Sequence, residues 1–434
     1  MVAELADLQP ERDPVRLDQL SKDFAWFSPI TAPLLRDKRA DLAFAPTAEA
    51  DIVRIIAACA RERVPLCIRA GGTGNYGQIT PLEGGVLLDL SRYNQILWHR
   101  AGAMRAQAGT RMGTMEKAAR TAGWELRMMP STYRIATIGG FYSGGTGGIG
   151  SINYGLIAAR GNVLGVRAIT VEPTPQPFEL RGDDVQLLMH GWGIAGIVLE
   201  VEVALAPAIE WDDAIAVFAD FDDALECANE LAHSFGIAKR LVSFHVDPVP
   251  QYLVPLKAYL PERHHAILAS IAPHSIQPFK TLVAKWRGQV TLHKTFEENR
   301  KALHTLIEFS WNHTTLNAHR VEKGLTNTQM RFVPGQHLAQ IRAVYKALHP
   351  ELMLHTEFIR DPNGLTTCSS LPIVRFSTAE RLEAIHQVAR DLGVIVANPH
   401  TFKLAAGNKK LITPSFFQAK QRFDPLGLLN PGKI

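Results

Sequence analysis

The chain has 434 residues, 46% of them hydrophobic and 20% charged, which is enough for two domains or one with a large insertion and argues against disorder. A net charge of +4 over that length gives no case for nucleic acid or an anionic membrane surface as a partner. The four cysteines, Cys59, Cys67, Cys227 and Cys368, form no C-x-x-C pair, which argues against a disulfide scaffold and a cysteine-built metal site.

Residues 1–40 are mixed and charged and read as an irregular extension. Acids near Met1 and the lack of a spanning apolar run predict neither signal peptide nor transmembrane segment, with the cytoplasm as the expected location. Asp41–Ala45 reads as a strand. A helix follows, with Thr47 as its cap and Ile52, Ile55, Ile56 and Cys59 at helical spacing. The apolar run Val64–Ile68 then delivers the chain into Arg69-Ala70-Gly71-Gly72-Thr73-Gly74-Asn75-Tyr76-Gly77. Glycines there let main-chain N–H groups converge on a phosphate, so this loop predicts a nucleotide-cofactor site.

Gly72–Gly77 formally matches the G-x-G-x-x-G fingerprint, but Pro81 and the Gly84-Gly85 pair stand where its helix should run. A second match, Gly145–Gly150, lacks a helical period after it. Two glycine loops without helices predict an extended cofactor lying across loops. Strands are expected at Gly85–Leu90 and Arg105–Gly109, and a helix from about Met112 to Ala122 closed by Gly123. The segment Met129–Gly145 is too rich in small residues for loop closure alone. Val163–Val171 reads as a strand, Arg181–Asp184 as the start of a helix, and Gly191–Val198 as a third glycine turn entering the strand Ile197–Leu205.

After Pro207 the glycine clusters give way to histidines, and strands alternate with helices, for example strand Leu241–Val246 and helix Arg300–Phe309. None of these histidines has H-E-x-x-H spacing, and no metal site is expected. A short helix, Ser415–Arg422, precedes a final turn.

The blocks Pro65–Gly74, Pro130–Gly148, Gly191–Glu200 and Lys420–Lys433, in that order, resemble the FAD-linked oxidase family that shares its fold with vanillyl-alcohol oxidase. More specifically, they resemble its branch of glycolate oxidase, D-lactate dehydrogenase and alkylglycerone-phosphate synthase. The resemblance covers the first ~205 and last ~35 residues at motif level and the middle only in layout. It implies an α+β protein with a two-subdomain PCMH-type FAD-binding domain at 1–208, an α+β cap at 209–395, and a segment at 396–434 returning to the first domain. By resemblance, Gly71, Gly72, Thr73, Gly74 and Asn75 would hold the pyrophosphate, with Arg69 and Ala70 also at the cofactor. Pro130, Ser131, Thr137, Gly139, Gly140, Ser143 and Gly144 would line the flavin and ribityl chain, and Gly193, Gly196, Ile197 and Val198 the adenosine. Thr73 stands where part of the family attaches flavin through histidine, so non-covalent FAD is expected.

The branch's metal and substrate segments correspond here to Leu354–Arg360 and Ala397–Lys403, without the metal-site histidine pair. Oxidising an alcohol needs a base for the hydroxyl proton, and His400 is the first candidate. His355 and Glu357 share one face of a strand and are further candidates. Arg360, Arg375 and Lys403 are candidates for holding a carboxylate, Arg375 first. The leading expectation is an FAD-dependent oxidoreductase acting on a small alcohol or 2-hydroxy acid, with oxygen, a quinone or a protein as electron acceptor. The alternatives are an electron-relaying subunit of a larger complex, or a flavin enzyme without net redox change. A homo-oligomer or complex subunit fits each of these readings.

Overall fold

Ile52, Ile55, Ile56 and Cys59 line one face of the helix Glu49–Arg61 and are fully buried against a parallel three-stranded sheet. In a computed structural model, which describes residues 3–408 and 412–434, that sheet has Val86–Asp89 between Leu42–Phe44 and Leu66–Arg69. Thr47 does not cap the helix. The N-cap is Ala48, without a side-chain hydrogen bond, because the helix begins one residue later than a capping box from Thr47 requires.

A second sheet is antiparallel and built around the long strand Ile197–Pro207, flanked by Ala103–Gln107 and Val163–Ile169. Against it lies a short helix, Ile138–Gly144, within the segment singled out for its density of small residues, where no helix was expected. Thr137 caps it by accepting from the Gly140 amide. Glycine is poor in helices, but a Cβ on Gly139 would sit 2.6 Å from the Ala108 Cβ, so close packing outweighs propensity. One helical turn, Ser151–Tyr154, also follows Gly150, where no helix was expected. The segment after Gly77 contains no helix before the strand Val86–Asp89.

The chain leaves this part at Pro207, and the strand Asp212–Phe218 enters an antiparallel eight-stranded sheet. One face of that sheet is apolar. Val242, Phe244, Phe358, Met330 and Val396 pack there in one core with the helices Phe221–His233, His337–Leu348 and Ala379–Asp391. The other face carries a polar row across four strands, with Ser243 opposite Glu357, Glu357 opposite Ser369, and Ser369 opposite Arg331. The strand Ile395–Ala397 still pairs with Gln329–Arg331, so this sheet runs to Ala397. The helix read over Arg300–Phe309 is instead a helix Phe296–Lys301 and a 3₁₀ turn Leu306–Phe309, each opened by its own capping box from Thr295 and Thr305.

The helix Pro414–Phe423 then leads the C-terminus back to the first sheet. There the Leu66 amide donates to Leu428 at 2.8 Å and the Asn430 amide to Leu66 at 2.7 Å. No helix among the described residues is long and apolar enough to cross a membrane.

Candidate active site

Two connected cavities, of about 220 and 100 Å³, run between the glycine loops and the polar face of the large sheet, sharing Thr73, Gly74, Gln78, Gly140 and Gly144. The smaller is lined by Arg69 to Gly74, Thr137, Gly139, Ser143, Gly193, Gly196, Ile197 and Val198. Asn75, Pro130 and Ser131 line the larger. The groove therefore brings together every residue that the sequence assigned to the cofactor.

Among the described residues, no main-chain N–H from Gly71 to Asn75 donates to the protein. Backbone donors are seldom left idle, so a run of them facing a groove is an anion cradle. The loop is held from behind. Asp23 accepts from the Gly77 and Gln78 amides, Phe24 donates to the Gly74 carbonyl at 2.7 Å, and Lys433 donates to the Gly77 carbonyl. Burial pulls the Lys433 ammonium down to about 8, with the Asp23 carboxylate opposing that shift. Arg69 lines the groove, yet its guanidinium turns back to the Leu20 and Lys22 carbonyls.

The helix Ile138–Gly144 floors the groove. A Cβ on Gly144 would meet no protein atom within 4 Å and would stand in the groove itself, so a flat group can lie there only because that side chain is absent. The third glycine turn is fixed to this helix by His190 N–H to the Tyr142 carbonyl and Trp192 N–H to the Ser143 carbonyl, both at 3.1 Å. His190 and Trp192 hold positive φ, of 54° and 52°, as does Trp311 at 51°. All three line the cavities. Backbone strain of this kind on non-glycine residues gathers at functional sites.

On the opposite wall, Gln329, Arg331 and Ser369 come from the polar row, with Ile359, Leu371 and Ile395 beside them. Arg331 is exposed, and its side chain makes no hydrogen bond or ion pair among the described residues. An unpaired guanidinium in a cleft is a ready fork for a carboxylate or phosphate.

The candidates for chemistry are distributed differently. His355 and Glu357 face the same way as Ile359 but are fully buried behind Trp311 and Asn312. Glu357 accepts from His355 Nε2 at 2.8 Å, from Ser243 Oγ at 2.9 Å and from the Trp311 amide at 2.6 Å. Its carboxylate thus fixes the strained Trp311 in the cavity wall. Neighbouring His245 is held neutral, its pKa well below the ordinary value, by burial and by His355. His400 does not line the cavities. Its Nδ1 meets Ser28 Oγ and its Nε2 the Asn327 carbonyl, both at 2.8 Å, so it pins the N-terminal segment to the large-sheet region. Arg375 lies on a separate antiparallel sheet, formed by the strands Leu325–Asn327, Ile373–Arg375 and Leu352–Met353, and is bonded to the Pro350 carbonyl and the Tyr252 hydroxyl. Arg360 sits over Phe235, and neither it nor Lys403 lines the cavities. Sequence reasoning missed His190 and Arg331. His190 lies beside the glycine turn that was singled out, but nothing in its neighbours distinguishes Arg331.

The family model described as an FAD binding domain matches residues 40–174, which include the first two glycine loops. The chain is a flavoprotein, with FAD as its cofactor. The flavoprotein is 25% identical over 256 residues to an uncharacterised FAD-linked oxidoreductase of Mycobacterium tuberculosis, covering 56% of this chain and 54% of that one. It is 29% identical over 201 residues to a glycolate oxidase subunit of Bacillus subtilis, covering 44% and 42%. The matches therefore span about half the length of these curated relatives or less. Its fold, α+β of the PCMH type, is that of an alkyldihydroxyacetonephosphate synthase structure, with a TM-score of 0.70 at 15% identity over 100% of this chain and 85% of the other.

Proposed function

We propose that this flavoprotein oxidises the hydroxyl-bearing carbon of a small 2-hydroxy acid, for which bound FAD supplies the hydride acceptor. The observation that carries the reading is the unpaired Arg331 across the cavity from the glycine-lined groove. Its guanidinium binds the substrate carboxylate bidentately and fixes which carbon faces the groove. Gln329 and Ser369 flank it on the polar row and orient the hydroxyl. His190, the one imidazole among the described lining residues, takes the hydroxyl proton, a role for which imidazole side chains are widely used. Glu357 acts through Trp311, which it holds in the wall that keeps bulk water from the reacting carbon.

Glycolate oxidase, named for one relative, acts on a molecule of this class, which supports the reading at the level of chemistry. FAD is held without a covalent bond in this account. Thr73 offers no attachment, and the Cys67 thiol is buried, pushed up to about 12, and bonded to the Ile79 carbonyl. Anaerobic titration of the FAD-loaded protein with glycolate, D- and L-lactate, and the corresponding neutral alcohols tests the reading. Bleaching by a hydroxy acid and not by its neutral analogue supports it, and indifference to the carboxylate overturns it.

A further inference from the structure

The N-terminal segment that braces the first glycine loop also reaches the outer surface. Phe24 lines the larger cavity, and the Trp26 ring lies 6.5 Å from it, centroid to centroid. Trp26 is 52% exposed and forms one wall of a separate cleft of about 350 Å³, whose other wall comes from His319, Lys323 and Phe376. His319 meets the Trp26 ring edge-on at 5.2 Å. Leu34 and Val321, 61% and 52% exposed, stand within two residues in sequence of the lining residues Pro33 and Lys323. Two cations, Arg36 and Lys323, line the cleft, are exposed, and make no side-chain hydrogen bond or ion pair among the described residues. Of the neighbouring acids, Asp37 is exposed beside Arg36, while Glu322 is engaged by the Tyr252 hydroxyl at 2.9 Å and by Arg375 at 3.6 Å. An exposed tryptophan and aliphatic patch with unpaired cations has the composition of a protein interface, and its charge selects an acidic partner.

From this cleft, one aromatic ring away from a residue of the flavin cavity, we infer that it docks an acidic one-electron carrier protein, which takes the electrons that substrate oxidation leaves on the flavin. The inference rests on the flavoprotein oxidoreductase reading above. In balance, hydride transfer leaves the flavin as the anion FADH−, which returns to FAD by losing two electrons and one proton to solvent, and two carrier molecules, docked in succession, are each reduced by one electron. Trp26 and Phe24 fill the space between carrier and cavity, and Arg36 and Lys323 set the carrier's orientation. Such encounters are small and depend on charge, so both affinity and rate fall as salt rises.

The test uses the FAD-loaded protein reduced by light, so that no substrate need be known, with plastocyanin as an acidic carrier and cytochrome c as a basic one of comparably high potential. Calorimetric titration of the oxidised protein gives the affinity independently of turnover, and rapid mixing gives the transfer rate. Plastocyanin is expected to bind and be reduced at least tenfold better than cytochrome c. W26A and the pair R36E/K323E each reduce plastocyanin affinity and rate tenfold or more, and the charge-reversed pair improves cytochrome c. Lys117→Glu, an exposed change on the distant helix Met112–Thr121, leaves both unchanged. These substitutions lie at exposed positions, and unaltered melting confirms that the fold is retained. Equal affinity and rate in all variants, with the flavin visibly reduced, overturns the docking site alone. A protein that takes up no FAD overturns the flavin reading before any carrier is added.

Discussion

In the proposed reaction Arg331 holds the substrate carboxylate and His190 takes the hydroxyl proton, and each has a substitution that separates its role from folding. Arg331 is exposed and its side chain is unpaired among the described residues, so R331M removes the proposed carboxylate fork without leaving a described buried partner behind. A hydrogen-bonded charge contributes roughly 1.5–3 kcal/mol, so the affinity for a 2-hydroxy acid should fall about 10- to 150-fold while a neutral alcohol is unaffected. Anaerobic titration of the flavin absorbance reads both numbers. His190 holds a φ of 54°, a conformation that asparagine also tolerates. H190N should therefore keep the turn and lower kcat by about 10²- to 10⁴-fold with little change in KM, the range expected for loss of general-base catalysis. An unchanged kcat in H190N would remove the base from this position.

At the scale of elements, the groove depends on where side chains are missing. Gly139 and Gly144 lie in one helix and do different work. A Cβ at 139 collides with Ala108 at 2.6 Å, whereas one at 144 meets nothing and intrudes on the cofactor. G144A should weaken FAD binding tenfold or more and leave the melting temperature of the FAD-free protein unchanged. G139A should lower that temperature, which differential scanning fluorimetry with and without FAD distinguishes. The three glycine turns were legible in the sequence because main-chain approach to a cofactor leaves a compositional trace. The sites on the large sheet left none. Arg331 lies beside Ser369 only through the pairing of strands 38 residues apart, and Arg375, singled out by the apolar run before it, ends up on another sheet. His400 looked catalytic because its neighbours resemble a family segment. In the fold both ring nitrogens join Ser28 to Asn327, and no local pattern encodes that pairing. The capping boxes at Thr295 and Thr305 divided a helix that apolar spacing alone reads as continuous.

Across the whole molecule, the histidines of the large-sheet region make it sensitive to acid. Burial draws His265 from the ordinary 6.5 to about 4, and it keeps its Nδ1 as an acceptor for the Asp247 amide at 3.1 Å. His245, His313, His337, His349 and His386 are lowered by burial as well. Above pH 6.5 these imidazoles are neutral whether the chain is folded or unfolded. As pH falls from 6.5 toward 4, the unfolded chain binds protons that the folded one refuses, so stability drops by about 1.4 kcal/mol per unit for His265, roughly 3 kcal/mol in all. Melting temperatures from pH 7.5 to 4.5 should fall steeply below 6.5, and less steeply in H265Q. A flat profile would contradict neutral burial. The same region carries Arg331, the proposed substrate contact, so the most direct test joins it to the cofactor groove. That measurement is the visible spectrum of the FAD-loaded protein under anaerobic addition of 2-hydroxy acids to the parent chain and to R331M. The account predicts flavin bands that bleach at low hydroxy-acid concentration in the parent and only at much higher concentration in R331M. Bands that no hydroxy acid bleaches, or that bleach identically in the two proteins, would contradict it.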